Sequence, residues 1–419
     1  MSGSFLESNV IFQEIYCVLA GSKYAGESCS AQGLLPVGYD WIGFFIAGFA
    51  IMFILANAFM LGAAVFVYSE RRLLGKFQLR TGPNRVGPFG LLQPIADILK
   101  LLMKEDIVPN GADKPVHTLA PIVMLAPAIL VTAVIPFGSG YFLTDLNVGL
   151  LYIVAVSGMI TIAIFMAGWS CNNRYALFGS MRGVAQLISY ELPMVFSMVG
   201  ILILTGSLSL IDVVNAQDIP FILVQPMAFV IFLIGTSAEL NRTPFDIVEA
   251  ESEIIAGYHT EYSGIKFALF QAAEMGSILV SGAVVATLFL KGWEGPFLPG
   301  PIWFLIKVYG FVFLMIWVRA TLPRLRVDQV MGFAWKFLLP LSLVNIFVTG
   351  ASVFLLGDME NGVRVLDRVD LLLVGAINLL SLIACLVLAG FFMKTKASGG
   401  RSREILVSEF DPAGREVLT

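Results

Sequence analysis

Seven carboxylates crowd one short stretch of this sequence: Glu239, Asp246, Glu249, Glu251, Glu253, Glu261 and Glu274. Against them stand Arg242, Lys266 and His259. Like charges this close cannot all ionise cheaply outside bulk water, so some must keep protons and titrate as coupled sites. The chemistry they offer is proton storage and transfer. Phe245, Ile247, Val248, Ile254 and Ile255 interleave them with core-forming residues, which weighs against the plainer alternative, a solvated acidic loop. Thr243-Pro244 predicts a helix start, with carboxylates in its first turns suiting the helix dipole. On that helix Glu249 and Glu253 would share a face, with Asp246 one turn earlier and Glu251 pointing elsewhere.

Two acids stand inside or at the edge of apolar runs. Glu191 lies in Ser189-Tyr-Glu-Leu-Pro193, just before a helix-perturbing proline, and Glu274 in Gln271-Ala-Ala-Glu-Met-Gly276. A charge at bilayer depth costs roughly 2.5–3.5 kcal/mol on insertion scales, so such groups face water, a partner or a proton path. Arg182 and Arg319 are candidate counter-ions, and plain structural pairing is the competing reading. A third cluster, Arg319-Ala-Thr-Leu-Pro-Arg-Leu-Arg-Val-Asp328, presents Arg319, Arg324 and Arg326 beside Asp328. Arginine favours planar, bidentate carboxylate or anion partners, and lipid headgroups are the other occupant this cluster suits. His259, beside Tyr258, is a candidate proton donor at neutral pH or an ordinary hydrogen-bonding residue.

Residues 90–105 read as an amphipathic helix. Leu92, Ile95, Leu99 and Leu102 or Met103 fall on one face, and Asp97, Lys100 and Lys104 on the other, so the helix is expected to lie at a membrane interface. The run Gly82-Pro-Asn-Arg-Val-Gly-Pro88 ahead of it is a folded turn.

Four cysteines (Cys17, Cys29, Cys171 and Cys385) form no C-x-x-C and no metal spacing, and there are only two histidines, His117 and His259. No P-loop, G-x-G-x-x-G or H-E-x-x-H is present. The expectation is a chain that itself holds no nucleotide, flavin, iron–sulfur cluster, haem or metal. Redox chemistry in its service falls to a partner or a diffusing cofactor.

The elements that must position these groups follow from composition. Of 419 residues, 58% are hydrophobic and 13% charged, and the mean hydropathy is +0.85. Soluble domains run at roughly 45–50% apolar and about 25% charged. An ordinary soluble enzyme, a disordered scaffold and a nucleic-acid binder are therefore excluded. A bilayer core needs about 20 apolar residues as helix. Runs of that kind cover 42–67, 117–137, 148–169, 184–206, 221–239, 266–290, 302–321, 333–356 and 370–392. The expected fold is all-α and polytopic, with about nine transmembrane helices plus the amphipathic helix in the first cytoplasmic loop. Residues 5–20 lack a basic leader and an unbroken apolar stretch, so an interfacial helix is expected there rather than a cleaved signal peptide. Lysine and arginine concentrate in 68–116, in the loops after the third, fifth and seventh spans and in the tail, whereas 138–147 and 207–220 hold neither. The positive-inside rule then sets the amino terminus outside and the tail in the cytoplasm, or in the matrix of a mitochondrion.

These motifs carry a resemblance. Arg80-Thr-Gly-Pro-Asn-Arg-Val-Gly-Pro-Phe-Gly-Leu-Leu-Gln-Pro-Ile-Ala-Asp97 resembles a signature of the H-type (subunit 1) family of respiratory complex I. Ala238-Glu-Leu-Asn-Arg-Thr-Pro-Phe-Asp246, with Glu249-Ala-Glu-Ser-Glu253 and Thr260-Glu-Tyr-Ser-Gly264, is similar to a second. Arg319 to Asp328, followed by Trp335-Lys-Phe-Leu-Leu-Pro340, is similar to a third. The resemblance runs in order from about 40 to 356. It implies a quinone-chamber membrane domain over 41–356, preceded by an extension (1–40) and followed by an additional helix (357–392) and a charged tail (393–419).

The resemblance further implies the membrane heel of a proton-pumping NADH:quinone oxidoreductase, not catalytic alone, with quinone (ubiquinone for preference) as substrate. Its partners would be the other membrane-arm subunits, lipids, and hydrophilic-arm subunits docking on 68–116, 170–183, 240–265 and 322–332. By carry-over, Arg71, Arg80, Asp97, Arg319 and Arg324 would line or brace the quinone channel. Glu191, Glu239, Asp246, Glu249, Glu251, Glu253, Glu261 and Glu274 would form the acidic path, with Arg182, Arg242, Arg326 and Asp328 as charge partners. The implied location is the bacterial inner membrane, or the mitochondrial one. Two alternatives stay open on the sequence: the equivalent component of a hydrogenase-type membrane complex, and an autonomous ion transporter. The latter should show repeated halves, and the acidic loop and amphipathic segment each occur once.

Overall fold

The computed structural model describes residues 10–20, 40–248, 256–360, 363–365 and 367–399. Eight of its helices are long and apolar enough to cross a membrane. They are α2 (Asp40–Phe77), α4 (Lys114–Thr132), α5 (Gly149–Ser170), α6 (Arg174–Thr205), α10 (Gly264–Phe289), α11 (Gly300–Thr321), the pair α12 (Val327–Phe333) and α13 (Leu339–Leu356) taken as one span, and α14 (Arg368–Gly399). Shorter helices are α1 (Val10–Ala20), α3 (Gln93–Met103), α7 (Leu210–Asn215), α8 (Phe221–Val224) and α9 (Pro226–Glu239). The protein is an all-α polytopic membrane protein. Its only strands among the described residues form a small antiparallel hairpin, Asp358–Glu360 against Val363–Val365.

The ninth expected span, 221–239, is where the count departs from nine. Pro226 has no N–H to continue the α8 ladder, and the chain breaks at Gln225, with φ −129° and ψ 57°. Gln225 is wholly buried, and its side chain donates to the Thr349 hydroxyl on α13 at 2.9 Å. A broken helix survives in a bilayer only where neighbouring protein meets its polar groups. α14 supplies part of that cover: the Asn378 amide donates to the Val224 carbonyl at 3.5 Å and to Val374 at 3.1 Å. Gly375 lets the two backbones touch, since a Cβ there would strike the Leu223 carbonyl.

Among the helices that overrun their expected ends are α2 and α6. α2 continues ten residues past 67, because Leu73 and Leu74 pack on the cluster of Phe66, Ile278, Val312 and Ile316. It stops at Leu79, whose φ is +54°, and the Arg80 N–H turns back to the Gly75 carbonyl. α6 starts at Arg174, capped by the Asn173 side chain, which accepts from the Tyr175 N–H at 3.0 Å. Most of the expected 170–183 loop is therefore helix. α6 also runs unbroken through Pro193.

Loop contacts sort the ends of the bundle. At one end the Asp113 N–H meets the Ser170 carbonyl, Leu325 meets Pro244, and Glu261 meets Asn173; this is the basic end. At the other, Gln217 donates to Thr287 and Leu288 and accepts from the Lys291 N–H. α1 sits at that second end: its Val10 N–H donates to Gly140, and Phe12 and Tyr16 pack on Ala47 and Ile51 of α2. The reason is visible in its sequence, where aromatic residues spaced four apart make one apolar face.

Close helix contact depends on small residues. A Cβ on Gly276 of α10 would overlap the Phe59 ring of α2. Gly276→Leu should destabilise the fold by about 1–3 kcal/mol through overpacking. The expected readout is a lower melting temperature of the detergent-extracted assembly by scanning fluorimetry; unchanged melting would refute the contact.

Candidate functional site

The basic end of α2 carries Ser69-Glu70-Arg71-Arg72, and the helix splits these charges between two directions. Glu70 turns inward and is 6% exposed. Its Oε1 accepts from Arg242 Nη1 at 3.0 Å and, at closer range, from Arg319 Nη1. Arg242 also lies over the Phe66 ring, 5.8 Å from its centroid. Buried charges persist when paired and hydrogen-bonded, and here a single carboxylate serves two guanidiniums. Arg71 turns outward to α3, where its Nη1 sits 2.5 Å from Asp97 Oδ2, with Lys100 at 3.6 Å from the other oxygen. Burial alone would raise the Asp97 carboxyl, but the Arg71 hydrogen bond and charge, aided by Lys100 and Gln93, hold it below its ordinary value. Arg72 donates to the Tyr68 hydroxyl and the Phe89 carbonyl, fixing the turn before α3. The stripe of Ile95, Leu99 and Leu102 is left exposed, the placement of an interfacial helix facing lipid.

Glu70 is not among the residues to which the sequence points. Its neighbours along the chain make it look like one member of a positive-inside cluster, and the only available sign is a carboxylate placed at helical spacing after Phe66.

Beneath this charged rim lie two hollows that share a wall. The outer one is bounded by Glu70, Arg71, Arg242 and Arg319. The inner one is a cavity of about 70 Å³ between α4, α5, α6, α9 and α10, apolar except for Ser157, Thr236, Glu239, Asn241, Glu274, Ser277 and Ser281. Leu240, Asn241 and Glu274 line both. The inner volume has room for water, whose share of liquid volume is about 30 Å³. Within it Glu239 is in reach of the Ser157 hydroxyl and of the charge of Glu191 on α6. Glu274 accepts from the Tyr258 hydroxyl at 2.7 Å, and His259 Nε2 lies 4.0 Å from the same oxygen.

The remaining expected residues distribute as follows. Asp246 stands 3.8 Å from Arg324. Glu261 accepts from the Asn173 amide at 2.7 Å. Arg319 is committed to Glu70 at this face, and Arg182 is half-buried on α6. Arg80 bonds the Gln78 side chain at 2.7 Å in the exposed loop. Arg326 and Asp328 are exposed at the start of α12, where the Arg326 N–H donates to Gln329. Glu249, Glu251 and Glu253 lie outside the described residues.

Among the described residues no helix opens at Pro244, since 243–248 are turns and irregular backbone; the rest of the expected helix, with Glu249 and Glu253, lies outside the described residues. The backbone bonds of 243–248 go elsewhere, Phe245 N–H to Arg242, the Phe245 carbonyl to Gln186, and the Pro244 carbonyl to Leu325. Phe245, Ile247 and Val248 are buried, so tertiary packing overrides the local helix signal.

Sequence comparison agrees with this geometry. A family model described as NADH dehydrogenase matches residues 49–350. The chain is 54% identical over 322 residues to a protein of Dehalococcoides mccartyi named as the H subunit of NADH-quinone oxidoreductase, covering 77% of this chain and 91% of that one. It is 50% identical over 326 residues to the protein of the same name from Bacillus cytotoxicus, covering 76% and 97%. With that of Geobacillus kaustophilus it shares 53% over 289 residues, covering 68% and 87%. The match spans the charged rim and both hollows, and the chain belongs to the NADH dehydrogenase family of membrane subunits, alongside proteins named as the H subunit of NADH-quinone oxidoreductase.

Proposed function

We propose that the chain shapes the quinone chamber of a proton-translocating NADH:quinone oxidoreductase and couples quinone reduction to proton movement through its carboxylates. It works as one subunit and is not catalytic alone; NADH oxidation and electron transfer to quinone belong to its partners. The observation that carries this reading is the shared wall: Glu274, with Leu240 and Asn241, borders both the arginine-rimmed hollow and the cavity that holds Glu239. A charge change at the rim is thus one side chain away from the buried acids.

Arg71, Asp97, Arg319 and Arg324 brace the channel through the pairs described above, with Arg80 at its loop margin. When quinone is reduced near the rim it demands protons and develops negative charge. Glu239, Glu274 and Glu191 respond by exchanging protons in a medium where such charges interact strongly, and Asp246, Glu249, Glu251, Glu253 and Glu261 form the loop side of the same path. Hydrophilic-arm subunits dock at the basic end, across the turn before α3, the 240–263 segment and 322–326. The domain limits expected from sequence stand as part of this proposal.

The relatives' shared name favours NADH over hydrogen as the ultimate donor, and their hosts favour a bacterial inner membrane. Orientation draws on two features: lysine and arginine concentrate at the basic end, and Cys17, at the opposite end, is disulfide-bonded. Disulfides persist on the oxidising side of a membrane, which supports an orientation with α1 outside and the basic end in the cytoplasm.

Glu274→Gln should cut NADH-driven quinone reduction by about 100-fold while NADH oxidation by a water-soluble artificial acceptor continues. Equal loss of both activities would mean failed assembly and would sink the coupling role. Glu70→Gln should act differently. It strands Arg242 and Arg319 without their carboxylate, at a cost on the order of 3 kcal/mol, so assembled complex in the membrane should fall, as read by native gel; normal assembly would show that the arginines hold without it.

A further inference from the structure

Both histidines of this chain end in one buried cluster. His259 lies beside Glu274, as described. His117, in the first turn of α4, is wholly buried. Its imidazole stacks flat on the Tyr262 ring, with centroids 4.1 Å apart and planes 6° from parallel. Neither His117 ring nitrogen meets a protein donor or acceptor. Stacking satisfies the faces of an imidazole but not its edge, and a buried polar edge is costly unless hydrogen-bonded.

The surroundings give that edge a purpose. Tyr262 shares a hydrogen bond with the Ser170 hydroxyl at 3.2 Å, and burial pushes the Tyr262 phenol well above its ordinary value. It stays protonated and can pass hydrogen bonds onward. The charges acting on His117 come from three segments: Lys266 on α10, Asp106 after α3, and Glu261 in the 256–263 turn. Asp106 is 39% exposed and paired to Lys266 at 2.9 Å, and Cys171 closes the α5 side, its thiol pushed up to about 11 by burial. Phe270 packs edge-on to Tyr262, at 4.8 Å, and to Tyr258, at 5.4 Å, and the Tyr258 hydroxyl is bonded to Glu274. Asp106 and Glu261 thus act on His117 from one side, and through Tyr262 and Phe270 it belongs to the same aromatic cluster as Tyr258, which bonds the acid shared by both hollows.

We propose that His117, held by Tyr262, is a proton intake for the carboxylate cavity, taking protons through water from the Asp106 and Glu261 side and passing them towards the Tyr258–Glu274 pair. One ring nitrogen accepts a proton as the other releases one, which leaves the imidazole in its other tautomer, and proton exchange with water between transfers restores the first. The inference rests on the coupling role proposed for Glu274. Water, with two to four hydrogen bonds to make, is the ligand that the bare imidazole edge suits.

The test uses the assembled complex in native membrane vesicles. NADH-driven quinone reduction and proton uptake are followed from about pH 5 to about pH 8, the window in which histidine changes charge. Oxidation of NADH by an artificial acceptor reports assembly. His117→Gln keeps bulk and polarity but cannot shuttle a proton. Its quinone-linked rate should fall about tenfold, short of the loss expected for a group in direct acid–base contact with substrate. The pH profile of that rate should change shape from the wild type's, which a purely structural loss would not produce. A wild-type rate and profile, or an equal loss at every pH, would overturn the proposal. Tyr262→Phe keeps the stack and removes only the hydroxyl: a reduced rate that keeps the wild-type pH profile supports the relay, and wild-type behaviour overturns it even if His117→Gln fails to assemble. Impaired Glu274→Gln with unaffected His117→Gln would remove this inference alone; if both behave as wild type, the coupling role falls too.

Discussion

Glu70 accepts hydrogen bonds from two arginines that are 172 and 249 residues away in sequence. Through that one carboxylate the first span, the turn after the short α9 helix and the end of α11 converge at the basic end of the bundle. In hydrocarbon, helices gain little from burying apolar surface against one another, since lipid is equally apolar. Polar ties and close backbone packing must then fix their positions. The triad does this with one net positive charge left over, beside a hollow that also admits Arg71. A rim of this kind draws electron-rich or anionic groups inward, and it does so only while α2 stays helical past the apolar run that defines its span.

Below the rim the polarity reverses. The inner cavity holds carboxylates with few counter-charges, apolar walls and a handful of hydroxyls. In such surroundings the Glu191 charge acts on Glu239 with little screening. Cationic margin and acidic interior meet at Glu274, whose hydrogen bond to Tyr258 fixes its carboxyl between them. Met194, Met198 and Phe232 line the same cavity and give it much of its apolar wall.

Much of this was legible in the residues. Continuous apolar runs gave the spans, the amphipathic spacing gave α3 with Asp97 on the side away from Ile95 and Leu99, and the carboxylate density around 239–274 marked the interior acids. What escaped did so for tertiary reasons. Glu70 sits among arginines, and sequence cannot show that its side chain turns inward while Arg71 turns outward. Polar stretches 68–77 and 174–183 looked like loops, yet Leu73, Leu74 and the Asn173 cap keep them helical. Pro244 promised a helix, but Gln186 and Leu325 claim the carbonyls of Phe245 and Pro244. The interruption at Gln225 was hidden because Gln225-Pro226 lies inside an apolar run long enough to read as one span. His117 drew no attention because a lone histidine at a helix start has no local signature; its meaning comes from Tyr262, far along the chain.

The break at Gln225 also bears on how the molecule comes into being. Its cover, α14, lies outside the stretch that matches the family, and it is the last of the described helices to be synthesised. Gln225 finds its partner Thr349 on α13, made earlier, whereas the Val224 and Leu223 carbonyls meet Asn378 and Gly375 only once α14 is in place. The polar gap in this span therefore closes in two steps, by α13 and then by α14. A chain cut short before residue 368 would leave the Val224 carbonyl without the Asn378 amide, in a medium that offers it no water.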